Sequence, residues 1–167
     1  YKWQVGGLDS WEKLRAVREP SFDWLIDKVR AYRRVLRAGP VGLCVYVHGP
    51  LDVTYLSMGY EKFFLAVHDD LELVAGVMDL FTDHTVRVVE ALAAGGVDMI
   101  YVADDVAFGQ GTMVQPAMFR ELWLPRMRRI VEPIHARRLP CVYHSDGRMD
   151  DVLPLVIELG FHGITPI

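Results

Sequence analysis

The sequence predicts an α/β fold built on a parallel sheet. Three observations carry that reading. Short, near-continuous apolar runs alternate with longer stretches whose apolar residues recur at helical spacing. Each connection between successive runs is long enough to hold a helix, which calls for parallel strands and right-handed crossovers. Polar residues collect just past the runs, at His48, Asp104, Asp105, His144, Asp146 and Thr165, while the run interiors are apolar. Parallel α/β proteins carry their chemistry at strand carboxyl ends. This partition therefore places a candidate active site on one face.

Residues 1–20 mix Trp3, Trp11 and charges and carry no motif. Ser21 is placed to cap a helix running to about Ala38, with Phe22, Leu25, Ile26, Val29, Tyr32 and Leu36 on one side. Arg33, Arg34 and Arg37 crowd its last turn, where the helix dipole favours cations. A solvated helix end explains them better than a phosphate site. Gly39-Pro40 ends the helix. Val41 to Val47 reads as a strand buried on both faces, leading into His48-Gly49-Pro50. Asp69 or Asp70 then caps a long helix to Ala94, with Glu72 placed for a capping box. Its stripe is Leu71, Val74, Val77, Met78, Phe81, Thr85, Val88, Val89 and Leu92, and Gly95-Gly96 closes it. Val97 to Ala103 is the second strand, ending in Asp104-Asp105.

Pro116 opens the next helix, at the position proline favours. Its stripe runs from Phe119 to Ile134, and Pro125 and Pro133 should kink it. Met113 and Met118 read as packing, and His135 with Arg137-Arg138 as a solvated helix end. Pro140 to Tyr143 is the third strand, running into His144-Ser145-Asp146-Gly147. Asp150 or Asp151 caps a short helix to Leu159, Gly160 stops it, and Ile164 starts the fourth strand.

Composition narrows the function classes. A net charge of -4 gives no reason to expect nucleic acid or a phospholipid surface. No apolar run is long enough to span a membrane. Cys44 and Cys141 each lie in an apolar run and read as buried thiols of a reducing, cytoplasmic compartment. No Gly-x-Gly-x-x-Gly or Gly-x-x-x-x-Gly-Lys-Ser/Thr is present, so nucleotide binding is a poor reading. The chain starts at Tyr1 and stops on the strand-like Gly163-Ile164-Thr165-Pro166-Ile167. We expect a piece of a longer protein, poorly soluble by itself because sheet edges are open.

Among the candidates, His144 and Asp146 are spaced to face the same way from an extended chain, toward one ligand or metal. The alternative is that Asp146 shapes the turn and His144 bonds the backbone. Alternation sends one of Asp104 and Asp105 to the mouth and the other to the helix layer. His48 and Tyr55 are weaker candidates.

Three stretches, in this order and spacing, resemble the uroporphyrinogen decarboxylase superfamily. The first is Gly49-Pro50-Leu51 with Tyr55 and Gly59. The second is Ala103 to Gly109 leading into Gln115 to Glu121 and Pro125. The third is Val142 to Gly147 with Leu153-Pro154 and Gly160. The resemblance covers the chain from about Val41 onward. It implies a (β/α)8 TIM barrel about twice this length, of which about four strands are present. Residues 1–167 are then one partial domain, with 1–40 an upstream segment and helix and 41–167 a βαβαβαβ core.

The resemblance implies two chemistries. One is methyl transfer between a corrinoid protein and a thiol or other acceptor, at a zinc held by His-x-Cys and a distant cysteine. His144 matches the histidine, and Asp146 stands where the first cysteine would be. A carboxylate is a harder ligand than a thiolate, so a zinc here is more Lewis-acidic. The other is decarboxylation of the acetate side chains of uroporphyrinogen III, which needs no cofactor. Tyr55 corresponds to a family tyrosine there. The Asp104-Asp105-x-x-x-Gly109 stretch looks closer to the methyltransferase-like members. The leading expectation is therefore metal-assisted methyl transfer. Asp104, Asp105 and His144 are catalytic, His48 and Tyr55 contact substrate, and zinc sits on His144 and Asp146. Decarboxylation is second. A non-catalytic relative that binds a tetrapyrrole or a corrinoid protein is third. The implied partners are a small tetrapyrrole, or a methyl donor or acceptor, together with a corrinoid protein.

Overall fold

The computed structural model describes residues 7–18, 20–36 and 39–166. Trp3, the helix end at Arg37 and Ala38, and Ile167 lie outside the described residues. The sheet holds β1 (Cys44–His48), β2 (Met99–Ala103), β5 (Cys141–His144) and β6 (Gly163–Thr165) in the order β1-β2-β5-β6. Every pairing between them is parallel. Between β2 and β5 lies a short antiparallel hairpin, β3 (Ala107–Phe108) with β4 (Gly111–Thr112).

Strand order follows chain order without reversal, which distinguishes a barrel segment from a doubly wound sheet. Alternation along the strands agrees. Val47, Ile100, Val102, Cys141 and Tyr143 are buried against the helices. Cys44, Tyr46 and His48 point to the other face and are exposed. The molecule is thus an α/β segment of a (β/α)8 barrel. The expectation that the first strand is buried on both faces is corrected: only its helix side is covered. For the same reason Cys44 is exposed and only Cys141 is a buried thiol.

The helices are α1 (Trp11–Ala16), α2 (Asp23–Leu36), α3 (Pro50–Met58), α4 (Tyr60–Asp69), α5 (Leu71–Gly95), α6 (Pro116–Met118), α7 (Leu124–Ala136) and α8 (Leu153–Glu158). The 25-residue α5 packs against α2, α3 and α7. Asp70 caps it, accepting the Leu73 N–H at 3.0 Å, and Gly96 closes it in the left-handed region. Its buried stripe contains Val74, Val77, Met78, Thr85, Val89 and Leu92, while Leu71 at its first turn is exposed.

Several local readings change. The sequence reading assigns no element to residues 50–69, yet they form α3 and α4, broken at Gly59 with φ 85°. Nearly all of α3 is buried, so it has no polar face and no amphipathic period to read. The N-cap of α8 is Val152, not Asp150 or Asp151, and Asp150 instead pairs with Arg148. Pro133 lies inside α7 without ending it. Before Pro125 the chain makes a π-helical turn, Phe119–Trp123, in which the Leu124 N–H reaches the Phe119 carbonyl. Pro125 has no N–H for the carbonyl four residues back, so the ladder opens by one residue there. Arg33 is more than a solvated helix end: it lies 2.6 Å from Asp98, whose Oδ2 also accepts the Leu43 N–H. His135 packs edge-on against His162, with its Nε2 buried.

Candidate active site at the strand carboxyl ends

Register aligns the open face in rows. His48, Ala103, His144 and Thr165 form the uppermost row of the strands, and Tyr46, Tyr101, Val142 and Gly163 the next. The two rows bring residues from four strands to one surface, which is how a barrel collects a site from distant sequence.

Asp104 and Asp105 separate as alternation requires. Asp104 is fully buried on the helix side. Its carboxylate accepts the Leu51 N–H at 3.0 Å, the Asp52 N–H at 2.7 Å and Trp123 Nε1–H at 2.7 Å. Burial drives its pKa well above the usual carboxylate range, with the nearby Asp52 charge adding to the rise. Those donors hold the start of α3 and the π-helical turn against the end of β2. A side chain at Gly49 would overlap Asp104, its Cβ falling 2.4 Å from the carboxylate carbon. Asp105 turns to the open side. Its Oδ1 accepts the Asp146 N–H at 2.9 Å, and its carbonyl accepts the Tyr55 hydroxyl at 3.1 Å.

The loop after β5 is tied to the loop after β2. Asp104 N–H donates to the His144 carbonyl at 2.9 Å, Val106 N–H to Ser145 Oγ at 3.1 Å, and Tyr143 hydroxyl to the Asp104 carbonyl at 3.0 Å. These bonds bring Asp105, His144 and Asp146 together, with one ligand atom from each lying within 4.8 Å of the others. Among the described residues His144 Nδ1 is buried without a hydrogen-bond partner. A histidine with an unsatisfied ring nitrogen, grouped with two carboxylates, fits a divalent cation, since such nitrogens are normally satisfied. One nitrogen and two oxygens suit zinc or a harder metal.

His48 stands on the other side of Ala103, outside that trio. Its Nδ1 is 3.1 Å from Oδ2 of Asp52 in the first turn of α3. The Asp52 hydrogen bond raises the His48 pKa against the lowering effect of burial. Asp52 is 7% exposed, and burial pushes its carboxyl up while the His48 bond pulls it back. Tyr55 is buried, stacks on Tyr60 and has its phenol pKa raised by burial. Its hydroxyl meets the site at the Asp105 carbonyl. Sequence reading missed Asp52 and Trp123. The one available signal for Asp52 was its place four residues after His48, and that signal has meaning only once residue 50 is known to start a helix.

A protein-family model described as uroporphyrinogen decarboxylase (URO-D) matches residues 4–166. The chain belongs to the uroporphyrinogen decarboxylase family. A solved structure, a methyltransferase from Methanosarcina mazei, is similar in fold to this chain with a TM-score of 0.71 at 20% identity. The alignment covers 95% of this chain and 44% of that one, so this URO-D chain spans less than half of that protein's length. No curated protein matches the chain. Among the described residues, no helix of this URO-D domain is long and apolar enough to cross a membrane.

Proposed function

We propose that this URO-D domain forms part of a methyltransferase whose mouth holds a divalent metal on Asp105, His144 and Asp146. The observation that carries the reading is that trio, with an unpartnered buried nitrogen on His144. The methyltransferase likeness supports it. A zinc bound there would act as a Lewis acid, lowering the pKa of an acceptor thiol or polarising a heteroatom. The chain's own residues do the rest. The Asp146 N–H bond fixes the rotamer of Asp105. Asp104 acts from the helix side as a positioning residue. His48 presents a second polar group to the same mouth. The reaction would exchange a methyl group between a small molecule and a corrinoid protein.

Decarboxylation of a porphyrinogen is the second reading, favoured by the description of the matching family model. It requires no metal. Metal content of the full protein, beside His144→Ala and Asp146→Cys, separates the two. Near-stoichiometric zinc, lost in the alanine variant and retained in the cysteine variant, is the expected result. Absence of metal in all three proteins would sink the methyl-transfer mechanism and turn the assay to uroporphyrinogen decarboxylation.

A further inference from the structure

His48 and Asp52 form a dyad at the carboxyl end of β1. The His48 Nδ1–H donates to Asp52 Oδ2 at 3.1 Å. The two side chains lie in different surroundings: that of Asp52 is 9% exposed and that of His48 48% exposed. A buried carboxylate thus holds a ring that is half open at the mouth.

Both members are fixed from neighbouring elements. Asp52 Oδ1 accepts the Val53 N–H at 2.6 Å. The Asp52 N–H donates to Asp104 at 2.7 Å, which ties the first turn of α3 to the end of β2. The His48 carbonyl accepts the Thr85 hydroxyl of α5 at 3.0 Å. The Gly49 N–H donates to the Ala103 carbonyl at 2.7 Å. Burying a carboxylate is costly unless it is hydrogen-bonded, and here the bonds it makes orient one imidazole. A carboxylate on Nδ1–H fixes the tautomer, gives proton exchange to Nε2, and stabilises the imidazolium that forms. The titratable groups that face His48 are Asp52 on α3, Asp105 after β2 and His84 on α5, which lines the same cavity as His48. Asp52 and Asp105 both favour the protonated ring.

We infer that the Asp52–His48 dyad is the proton acceptor of this mouth, with His48 as catalytic base and Asp52 as the residue that positions it. Its task rests on the methyl-transfer reading: it takes the proton of an acceptor thiol. That proton passes from sulfur to Nε2 while the sulfur electron pair forms the new bond to the methyl carbon. The bond from that carbon to the corrinoid cobalt breaks. Its electron pair stays on the cobalt, which goes from Co(III) to Co(I). The imidazolium then gives the proton to water.

The test uses the full protein, with methylcobalamin as methyl donor and 2-mercaptoethanol as acceptor. Carbethoxylation of His48 by diethyl pyrocarbonate, read by mass spectrometry, runs beside it and needs neither substrate nor metal. Methyl transfer should rise with pH as His48 loses its proton. Asp52→Asn should lower the plateau about tenfold or more. It should also move the midpoint to lower pH, because the bond that raises the His48 pKa is weakened. His48→Ala should lose about a hundredfold, and added imidazole should restore part of the rate. His84→Gln should keep the wild-type profile. Carbethoxylation of His48 should slow in Asp52→Asn at a pH where the ring is neutral in both proteins. Asp52→Asn conserves shape and stands in if His48→Ala does not fold. Undiminished transfer in His48→Ala, or a slower Asp52→Asn with its midpoint unmoved, overturns the dyad. Equal carbethoxylation of His48 in the wild type and Asp52→Asn overturns it as well. A wild type that transfers no methyl group, with carbethoxylation still dependent on Asp52, upholds the dyad and removes the methyl-transfer reading.

Discussion

Asp104 and Asp105 are adjacent in sequence and have opposite physical tasks. Asp104 is a buried acceptor for two backbone donors of α3 and for the Trp123 indole. Removing its carboxylate leaves all three donors without a partner, and each unsatisfied buried donor costs about 1–3 kcal/mol. Asp104→Ala should therefore lower unfolding free energy by about 3 kcal/mol or more, measured by urea denaturation. Asp105→Ala should change stability by less than about 1 kcal/mol and instead lower zinc occupancy. The same urea and metal measurements on the two variants contrast them, and equal destabilisation would contradict the division of roles.

At the scale of elements, the site depends on two loops crossing closely. Gly147 has φ 90°, and a Cβ there would lie 2.6 Å from the Ala107 carbonyl carbon and the Phe108 nitrogen. Neither the backbone conformation nor the space accepts a side chain. Gly147→Ala should cost at least about 2 kcal/mol through strain and overlap and displace Asp146 from Asp105. Gly109, in the nearby hairpin, has nothing within 4 Å of a built Cβ. Gly109→Ala should stay within about 0.5 kcal/mol. Thermal melts of the two alanine variants provide the comparison, and a neutral Gly147→Ala would disprove the tight crossing. The π-helical turn belongs to this scale as well. Its extra residue shifts the helix phase by about 100°, which allows Trp123 to reach Asp104 while Phe119 stays in the core.

For the whole molecule, a metal held on Asp105, His144 and Asp146 as proposed would couple its binding to folding, because these three residues stand at or just past the ends of two different strands. Such a site is assembled only in the folded chain. Free zinc at a hundredfold excess over its dissociation constant should stabilise the protein by about 2.7 kcal/mol. For a chain of this size that is a rise of about 5–10 °C in melting temperature. A chelator should reverse the rise, and His144→Ala should not respond. A melting temperature indifferent to zinc and chelator alike would count against the site.

Local pattern made the parallel βα alternation legible, since strand and helix periods are properties of neighbouring residues. The same holds for a cap at Asp69 or Asp70, of which the structure uses Asp70, for a stop at Gly95-Gly96, where Gly96 takes the left-handed turn, and for the collection of His48, Asp104, Asp105, His144 and Asp146 at strand ends. The tertiary structure decided which aspartate faces the mouth and that Asp105 joins His144 and Asp146. It also decided that Asp52 holds His48 and that Cys44 is exposed on the open face. Residues 50–69 became α3 and α4 although α3 lacks an amphipathic stripe. The His48–Asp52 bond spans only four residues but needs the buried α3, which shows no amphipathic period. The Asp105–Asp146 bond joins residues 41 apart, and the covering of only one sheet face is likewise set by how strands register and helices pack, which no local period records.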